Sequence, residues 1–115
     1  MRISFIPILL TLSACGGGNY TPQANRPPVA DAGPAQTVTA PAAIKLAGSG
    51  SDPDQDIITY AWTLTRPASS QASLLNYHYP SPTFVADVPG VYVATLVVND
   101  GKLDSAPSSV TITAQ

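Results

Sequence analysis

The chain has 115 residues, 44% of them apolar, which is enough for one modest core and not for a second. Charged residues make up only 10%, against roughly 25% in ordinary soluble domains. All seven acidic residues are Asp, and the 12 Pro and 8 Gly exclude a helical bundle and favour strands joined by turns. The net charge of −2, with scattered basic residues, argues against nucleic acid as a partner. One Cys and one His cannot form a disulfide framework or a zinc site.

The first 14 residues have the layout of a secretory signal. One positive charge at Arg2 precedes an apolar run over residues 3–12, and small residues follow before Cys15. The run is too short to cross a bilayer as a helix, which takes roughly 20 apolar residues, and Pro7 interrupts it. The sequence LSAC at 12–15 resembles the lipobox of bacterial lipoproteins, in which the Cys receives a diacylglyceryl group and becomes the mature N-terminus.

This resemblance implies that Cys15 attaches the protein to a membrane. At about 0.8 kcal/mol per buried CH₂, two or three acyl chains hold a small domain to a bilayer essentially permanently. The alternative is a free or buried thiol without a lipid. By resemblance to lipoprotein sorting in Gram-negative cells, Gly16 after the Cys implies the outer membrane of the cell envelope. Residues 15–26 are predicted to be a flexible tether, and residues 27–115 to be the folded domain.

Residues 27–115 show short alternating runs separated by Gly, Pro, Asp and Ser clusters, which predict an all-β sandwich of two antiparallel sheets. The strongest run, over 91–98, is apolar on most positions of both faces and predicts a central strand. A second run over 58–65 places Trp62 in the core. Weaker strands are predicted over 29–32, 36–39, 44–47, 83–86 and 110–114, with at most a short strand near 73–76 in an irregular loop over 66–81. About seven strands approach the number in an immunoglobulin-like sandwich.

Four separated motifs resemble those of the PKD domain in order and spacing. They are AGPAQTV at 32–38, LAGSGSDPD at 46–54, YAW at 60–62, and the run from FVAD at 84–87 to LVVNDG at 96–101. The resemblance covers about residues 25–115 and implies an immunoglobulin-like sandwich. The WDFGDG motif of many members is absent after Trp62, where Pro67 follows instead. In the acidic loop at 52–56, Gln55 stands where Gly is usual, which predicts altered loop geometry because Gly takes positive φ easily.

The acidic loop at 52–56 is the clearest candidate site. An EF-hand is excluded, since Ile57 and Thr63 stand where that motif needs Gly and Glu. Resemblance to collagenase-type PKD domains implies a calcium ion instead. The implied ligands are Asn25, Asp52, Asp54 and Asp100. These oxygen ligands come from three chain segments, so a cation would stiffen the junction of tether and domain. The alternative is that the Asp side chains only accept turn hydrogen bonds at a solvated strand end.

Tyr77 and Tyr79, on either side of His78, form a second candidate site. They would stack on a sugar or contact a protein, or alternatively cover one end of the sandwich. For His78 the sequence offers no positioned nucleophile or orienting acid, and no enzyme is predicted. The sequence therefore predicts a non-catalytic, membrane-tethered structural or adhesive module at the cell envelope. The alternative is a carbohydrate- or peptidoglycan-binding module; in either case the partner, an envelope protein or a glycan, is not identified by the sequence.

Overall fold

The protein is described here by a computed structural model that covers residues 23–115, which form eight strands. The strands are β1 (Val29–Asp31), β2 (Gln36–Val38), β3 (Ala42–Lys45), β4 (Ser49–Ser51), β5 (Thr59–Thr65), β6 (Thr83–Ala86), β7 (Gly90–Asn99) and β8 (Ser108–Ala114). The predicted all-β fold class is confirmed. No helix occurs within residues 23–115, and so nothing in that range is long and apolar enough to cross a membrane as a helix.

The strands form the two layers of a sandwich. One layer is a four-stranded sheet in the order β2-β8-β7-β5, in which only the β2-β8 pair is parallel. The other layer contains the antiparallel pairs β1-β4 and β3-β6. Hydrogen bonds of 2.9 Å from Leu46 N to Pro82 O and from Gly48 N to Pro80 O carry the β3-β6 ladder onward towards β4. These pairings make the second layer nearly continuous.

The sequence pattern located the long strands better than the short ones. Strand β6 has the predicted bounds, β5 begins one residue later than predicted, and β7 extends one residue beyond its prediction at each end. Strand β3 begins two residues before its prediction, because Ala42 and Ala43 pair with β6 through their backbone. Strand β4 was missed, since Ser-Gly-Ser carries no apolar alternation. Near 73–76 the structure has only an isolated bridge between Leu75 and Thr83.

Apolar side chains from both layers meet in one core. The four-stranded sheet contributes Trp62, Tyr92, Leu96, Val98 and Ile112, and the facing layer contributes Ile44, Leu46 and Phe84. Trp62 is only 3% exposed, and its indole Nε1 donates a 3.0 Å hydrogen bond to the backbone O of Tyr79. The predicted core position of Trp62 is confirmed. Because the loop at 77–79 supplies that acceptor, burial of the indole also fixes this loop against the sandwich.

A buried tyrosine hydroxyl closes the turn between β6 and β7. Tyr92 is fully buried, and its hydroxyl donates to Val88 O at 2.7 Å while Val88 N donates back to it at 3.2 Å. The hydroxyl also lies 3.1 Å from Asp87 Oδ1. A tyrosine near the start of this strand that bonds the backbone upstream is the tyrosine corner of immunoglobulin-like sandwiches. The sequence pattern gave no indication of this hydrogen bond.

The carboxylate of Asp87 ties the same turn to the loop after β5. It accepts hydrogen bonds from Ser70 Oγ at 2.5 Å and from Gln71 N at 2.7 Å. These bonds, the one from Ser70 first and the one from Gln71 next, lower the pKa of Asp87 to about 2. Asp87 is therefore held as an anion at neutral pH and joins residues 16 or more positions apart in sequence.

Candidate functional site

The loop between β4 and β5 is shaped by the side chain of Asp52. Its Oδ2 accepts hydrogen bonds from Asp54 N at 3.0 Å and Asp56 N at 2.9 Å, and its backbone O accepts one from Gln55 N at 3.0 Å. Gln55 adopts φ 61°, the left-handed conformation that Gly would take. The sequence predicted altered loop geometry because Gly is missing here; Gln55 nevertheless takes positive φ and bears local strain. The Asp52 bonds hold the backbone in place.

Asp100 lies beside this loop, at the end of β7. It is 7% exposed, and its Oδ1 accepts hydrogen bonds from Leu103 N at 2.8 Å and Lys102 N at 2.9 Å. Its Oδ2 accepts one from Asn25 Nδ2 at 2.8 Å. The bond from Leu103, followed by that from Asn25, lowers the pKa of Asp100 to about 2. The carboxylate is therefore ionised at neutral pH although it is buried.

Three carboxylates from two segments converge at this corner, which we call the acidic corner (Asp52, Asp56 and Asp100). One oxygen of each lies within 4.8 Å of the others. Asp52 Oδ1 is buried and has no hydrogen-bond partner among the described residues. Since like charges this close repel and a buried oxygen without a partner is costly, both features fit a hard cation that prefers oxygen ligands.

The structure brings together three of the four residues predicted to bind calcium. Asn25 and Asp100 are hydrogen-bonded, and Asp52 lies in the acidic corner with Asp100. Asp54 forms an ion pair of 2.6 Å with Arg26 Nη2 and also accepts from Arg26 N at 2.8 Å. The side-chain bond from Arg26 is the main cause of the lowered pKa of Asp54. Asp54 is therefore neutralised by the end of the tether rather than grouped with the acidic corner.

Asp56 takes the place in the cluster that the sequence analysis gave to Asp54. Both residues lie in one short acidic loop, and the sequence alone does not reveal which carboxylate turns towards Asp100. Gln55, with φ 61°, lies between the two: Asp54 pairs with Arg26, whereas Asp56 lies with Asp52 and Asp100. The only feature of the sequence that pointed to Asp56 was the cluster of three Asp residues within 52–56, which does not distinguish the role of one from another.

The second candidate site, the tyrosine loop (residues 77–79), is exposed. Tyr77 is 48% and Tyr79 is 65% exposed, and the Tyr77 and His78 rings lie 4.4 Å apart between centroids, tilted by 56°. His78 Nδ1 lies 3.1 Å from Tyr60 O, which anchors the imidazole to the edge of β5. Trp62 N donates a 2.9 Å bond to Tyr77 O. The loop thus presents two tyrosine side chains to solvent from a backbone that is fixed to β5.

The predicted lipid site, Cys15, lies outside the described residues, as do the signal segment and most of the tether.

Comparisons with known proteins agree with this architecture. The family model of the K319L-like PKD domain matches residues 32–114. The mouse dyslexia-associated protein KIAA0319-like protein is 36% identical over 92 residues, which are 79% of this chain and 9% of that protein. The solution structure of the PKD domain from KIAA 1837 protein is similar with a TM-score of 0.63 and 32% identity, covering 84% of this chain and 92% of that one. The chain therefore spans only a small part of the curated relative it matches.

Proposed function

Because the chain belongs to the family of K319L-like PKD domains, we propose that it is a non-catalytic module that binds other proteins at the cell envelope. The observation that carries this proposal is the family match over residues 32–114, nearly all of the described chain. Domains of this immunoglobulin-like kind act through their surfaces and generally carry no catalytic groups. The one histidine, His78, has its Nδ1 beside Tyr60 O, in a position that anchors the loop.

The membrane attachment is part of the same proposal. Cys15 ends an apolar signal and is followed by three glycines, so a lipid there would hold the domain at the membrane by a tether. Cys15→Ser should move the protein from the membrane fraction to the soluble fraction, with Ser13→Ala as the control that retains Cys15. Membrane fractionation unchanged by Cys15→Ser would contradict the anchor and would leave the binding role standing.

Photo-crosslinking in cells tests the binding role. A crosslinking amino acid placed at an exposed position such as Val85 or Tyr79 should capture a defined envelope protein. If it captures none, and the protein instead co-sediments with purified peptidoglycan, the module is a glycan binder. The two exposed tyrosines of the tyrosine loop favour this second function, because aromatic side chains provide apolar faces for sugar rings. Tyr79→Ala should then abolish co-sedimentation.

A calcium ion fits the acidic corner. Asp52, Asp56 and Asp100 would hold it, and Asn25 would reach it by turning its amide oxygen inwards. The two positive charges of the ion would offset two of the three carboxylate charges, and the ion would fasten the end of the tether to the domain. Millimolar calcium should raise the melting temperature of the protein above that in chelator, and Asp52→Asn should remove the difference, whereas Asp104→Asn should not. Equal melting temperatures in calcium and chelator would reject the ion.

A further inference from the structure

Strand β5 lies at an edge of the four-stranded sheet, and part of its backbone has no partner. The backbone N–H and C=O groups of successive residues in β5 point in opposite directions, so that every second residue faces β7 and the others face outwards. The outward set includes Tyr60 O, which is beside His78 Nδ1, and Trp62 N, which donates to Tyr77 O. Two residues further along, Leu64 N–H and C=O point the same way. Neither group has a hydrogen-bond partner among residues 23–115.

A cleft lies along this unpaired stretch of edge. It has a volume of about 390 Å³, within the range of about 300–1,000 Å³ for ligand pockets. One wall is the edge of β5 from Trp62 to Leu64 together with Arg66 just after the strand, and the other is formed by residues 72–74 and Tyr77. Leu64 and Leu74 are half-buried and line the cleft with apolar surface, and Tyr77 lines it as well. The cleft therefore combines an open sheet edge with apolar contacts.

The charge at this cleft is positive. Arg66 is exposed and lines the cleft, and one of its nitrogens, Nη1, donates a 2.6 Å hydrogen bond to Ala72 O. This bond holds the guanidinium in place, and the group keeps further N–H donors for an acceptor from outside. A carboxylate is the side-chain group that matches these donors in charge and geometry.

We propose that this cleft binds an extended peptide segment of a partner protein, which adds a strand to the edge of β5 and places an acidic side chain on Arg66. Leu64 N–H and C=O would pair with the backbone of the peptide, and its apolar side chains would contact Leu64 and Leu74. This is recognition by strand addition, in which backbone hydrogen bonds give affinity and side chains give specificity. The inference rests on the proposed protein-binding function and names the surface and the class of partner.

Strand addition would also supply partners for the unpaired backbone N–H and C=O of Leu64. An unpaired N–H and C=O at a sheet edge match one extended backbone residue, which carries one acceptor and one donor in the complementary positions. A sugar would match the tyrosines but not this alternation of backbone groups. The outer edge of β3, in the opposite layer, differs from this one: its Lys45 O already accepts a 3.0 Å hydrogen bond from Gln36 Nε2.

A synthetic pentapeptide tests the proposal on the full-length protein. The probe is acetylated and amidated and has the sequence Asp-Thr-Val-Thr-Val. Antiparallel pairing would place the aspartate near Arg66. In NMR spectra the Leu64 amide should move downfield and exchange more slowly on addition of the probe. A probe with its central valine N-methylated should bind about tenfold more weakly, since a strand hydrogen bond is lost. Equal binding of the two probes would overturn the proposal.

Matched variants test the charge. Arg66→Gln should weaken binding of the aspartate probe by up to about fivefold, as expected for an exposed ion pair, and should not affect a probe with asparagine in its place. Lys45→Gln should leave binding unchanged. A Leu64 shift that depends on protein concentration without any probe would mean that a second copy occupies the edge, and would overturn the proposal. If the probes fail while crosslinking in cells still captures a protein, this site is rejected and the protein-binding function stands.

Discussion

Replacing Tyr92 by Phe isolates the hydrogen bonds of the tyrosine corner. The ring keeps its place in the core, 5.6 Å from the ring of Phe84 between centroids, so no large cavity forms. The change removes the 2.7 Å bond to Val88 O and the 3.2 Å bond from Val88 N, and leaves both backbone groups without the partner that closes the turn. Unsatisfied groups of this kind cost about 1–3 kcal/mol, so we expect a loss of about 2 kcal/mol.

Urea unfolding followed by Trp62 fluorescence measures this loss, because Trp62 is the only tryptophan and lies in the same core. A loss of about 2 kcal/mol corresponds to a melting temperature lower by about 8–16 °C for a domain of this size. Tyr60→Phe is the matched control: Tyr60 is half-buried on the neighbouring strand, and its hydroxyl has no hydrogen bond among the described residues. If both variants lose the same stability, or if Tyr92→Phe loses less than about 0.5 kcal/mol, the reasoning is refuted.

Three further predictions concern acid, strain and close packing. The pKa of Asp87 is lowered to about 2 in the folded protein, against about 4 in the unfolded chain. The ionised Asp87 therefore stabilises the fold fully above about pH 4, and this stabilisation is lost as the pH falls from about 4 to 2. The melting temperature should fall over that range, and it should fall less steeply in Asp87→Asn. Gln55→Gly should stabilise the fold by about 0.5–1 kcal/mol in urea unfolding, because relief of left-handed strain exceeds the entropy that Gly adds to the unfolded chain. Asn76 also has φ 61°, but Asn tolerates that conformation, so Asn76→Gly should gain less stability. Gly48→Ala should destabilise by about 1–3 kcal/mol and change Trp62 fluorescence, since the added Cβ would overlap Trp62 Cζ2 and lie 2.9 Å from Pro80 O. At Gly101, φ 97° strains an alanine but nothing lies within 4 Å, so Gly101→Ala should leave the Trp62 fluorescence of the folded protein unchanged.

The sequence predicted the elements whose side chains alternate and missed those held by backbone alone. In β7 the buried residues Tyr92, Ala94, Leu96 and Val98 repeat every second position, so their pattern is visible without any partner strand. Strand β4 has no such pattern. It forms because Val29–Asp31 lies beside it, and because Gly50 leaves room: a Cβ there would lie 2.8 Å from Ile58 Cδ1. Such a strand is specified by its neighbours, which a reading along the chain does not reveal.

The candidate site was predictable to the same degree. The family resemblance grouped Asn25, Asp52 and Asp100, and in the structure Asp100 lies beside both of the others, because strand ends in a sandwich meet at one end. The partner of Asp54 was not predictable, since it depends on the path of Arg26, which the sequence analysis placed in a flexible tether. The open edge at Leu64 was also not predictable from the sequence, because whether a backbone N–H is paired depends on which chain segment lies beside it in space.

The pairing of Asp54 with Arg26 changes the electrostatic problem at the acidic corner. A loop with three carboxylates would repel itself most strongly if all faced one point, and Arg26 neutralises the one that turns away. The remaining charge is concentrated on Asp52, Asp56 and Asp100. Residues 23–115 supply hydrogen-bond donors to Asp52 and Asp100, and no ion pair to any of the three. Backbone and amide donors satisfy Asp100 fully, yet leave Asp52 Oδ1 buried and unpaired. The unbalanced charge therefore centres on Asp52, and Asp52→Asn is the substitution that separates a cation site from a hydrogen-bonded turn.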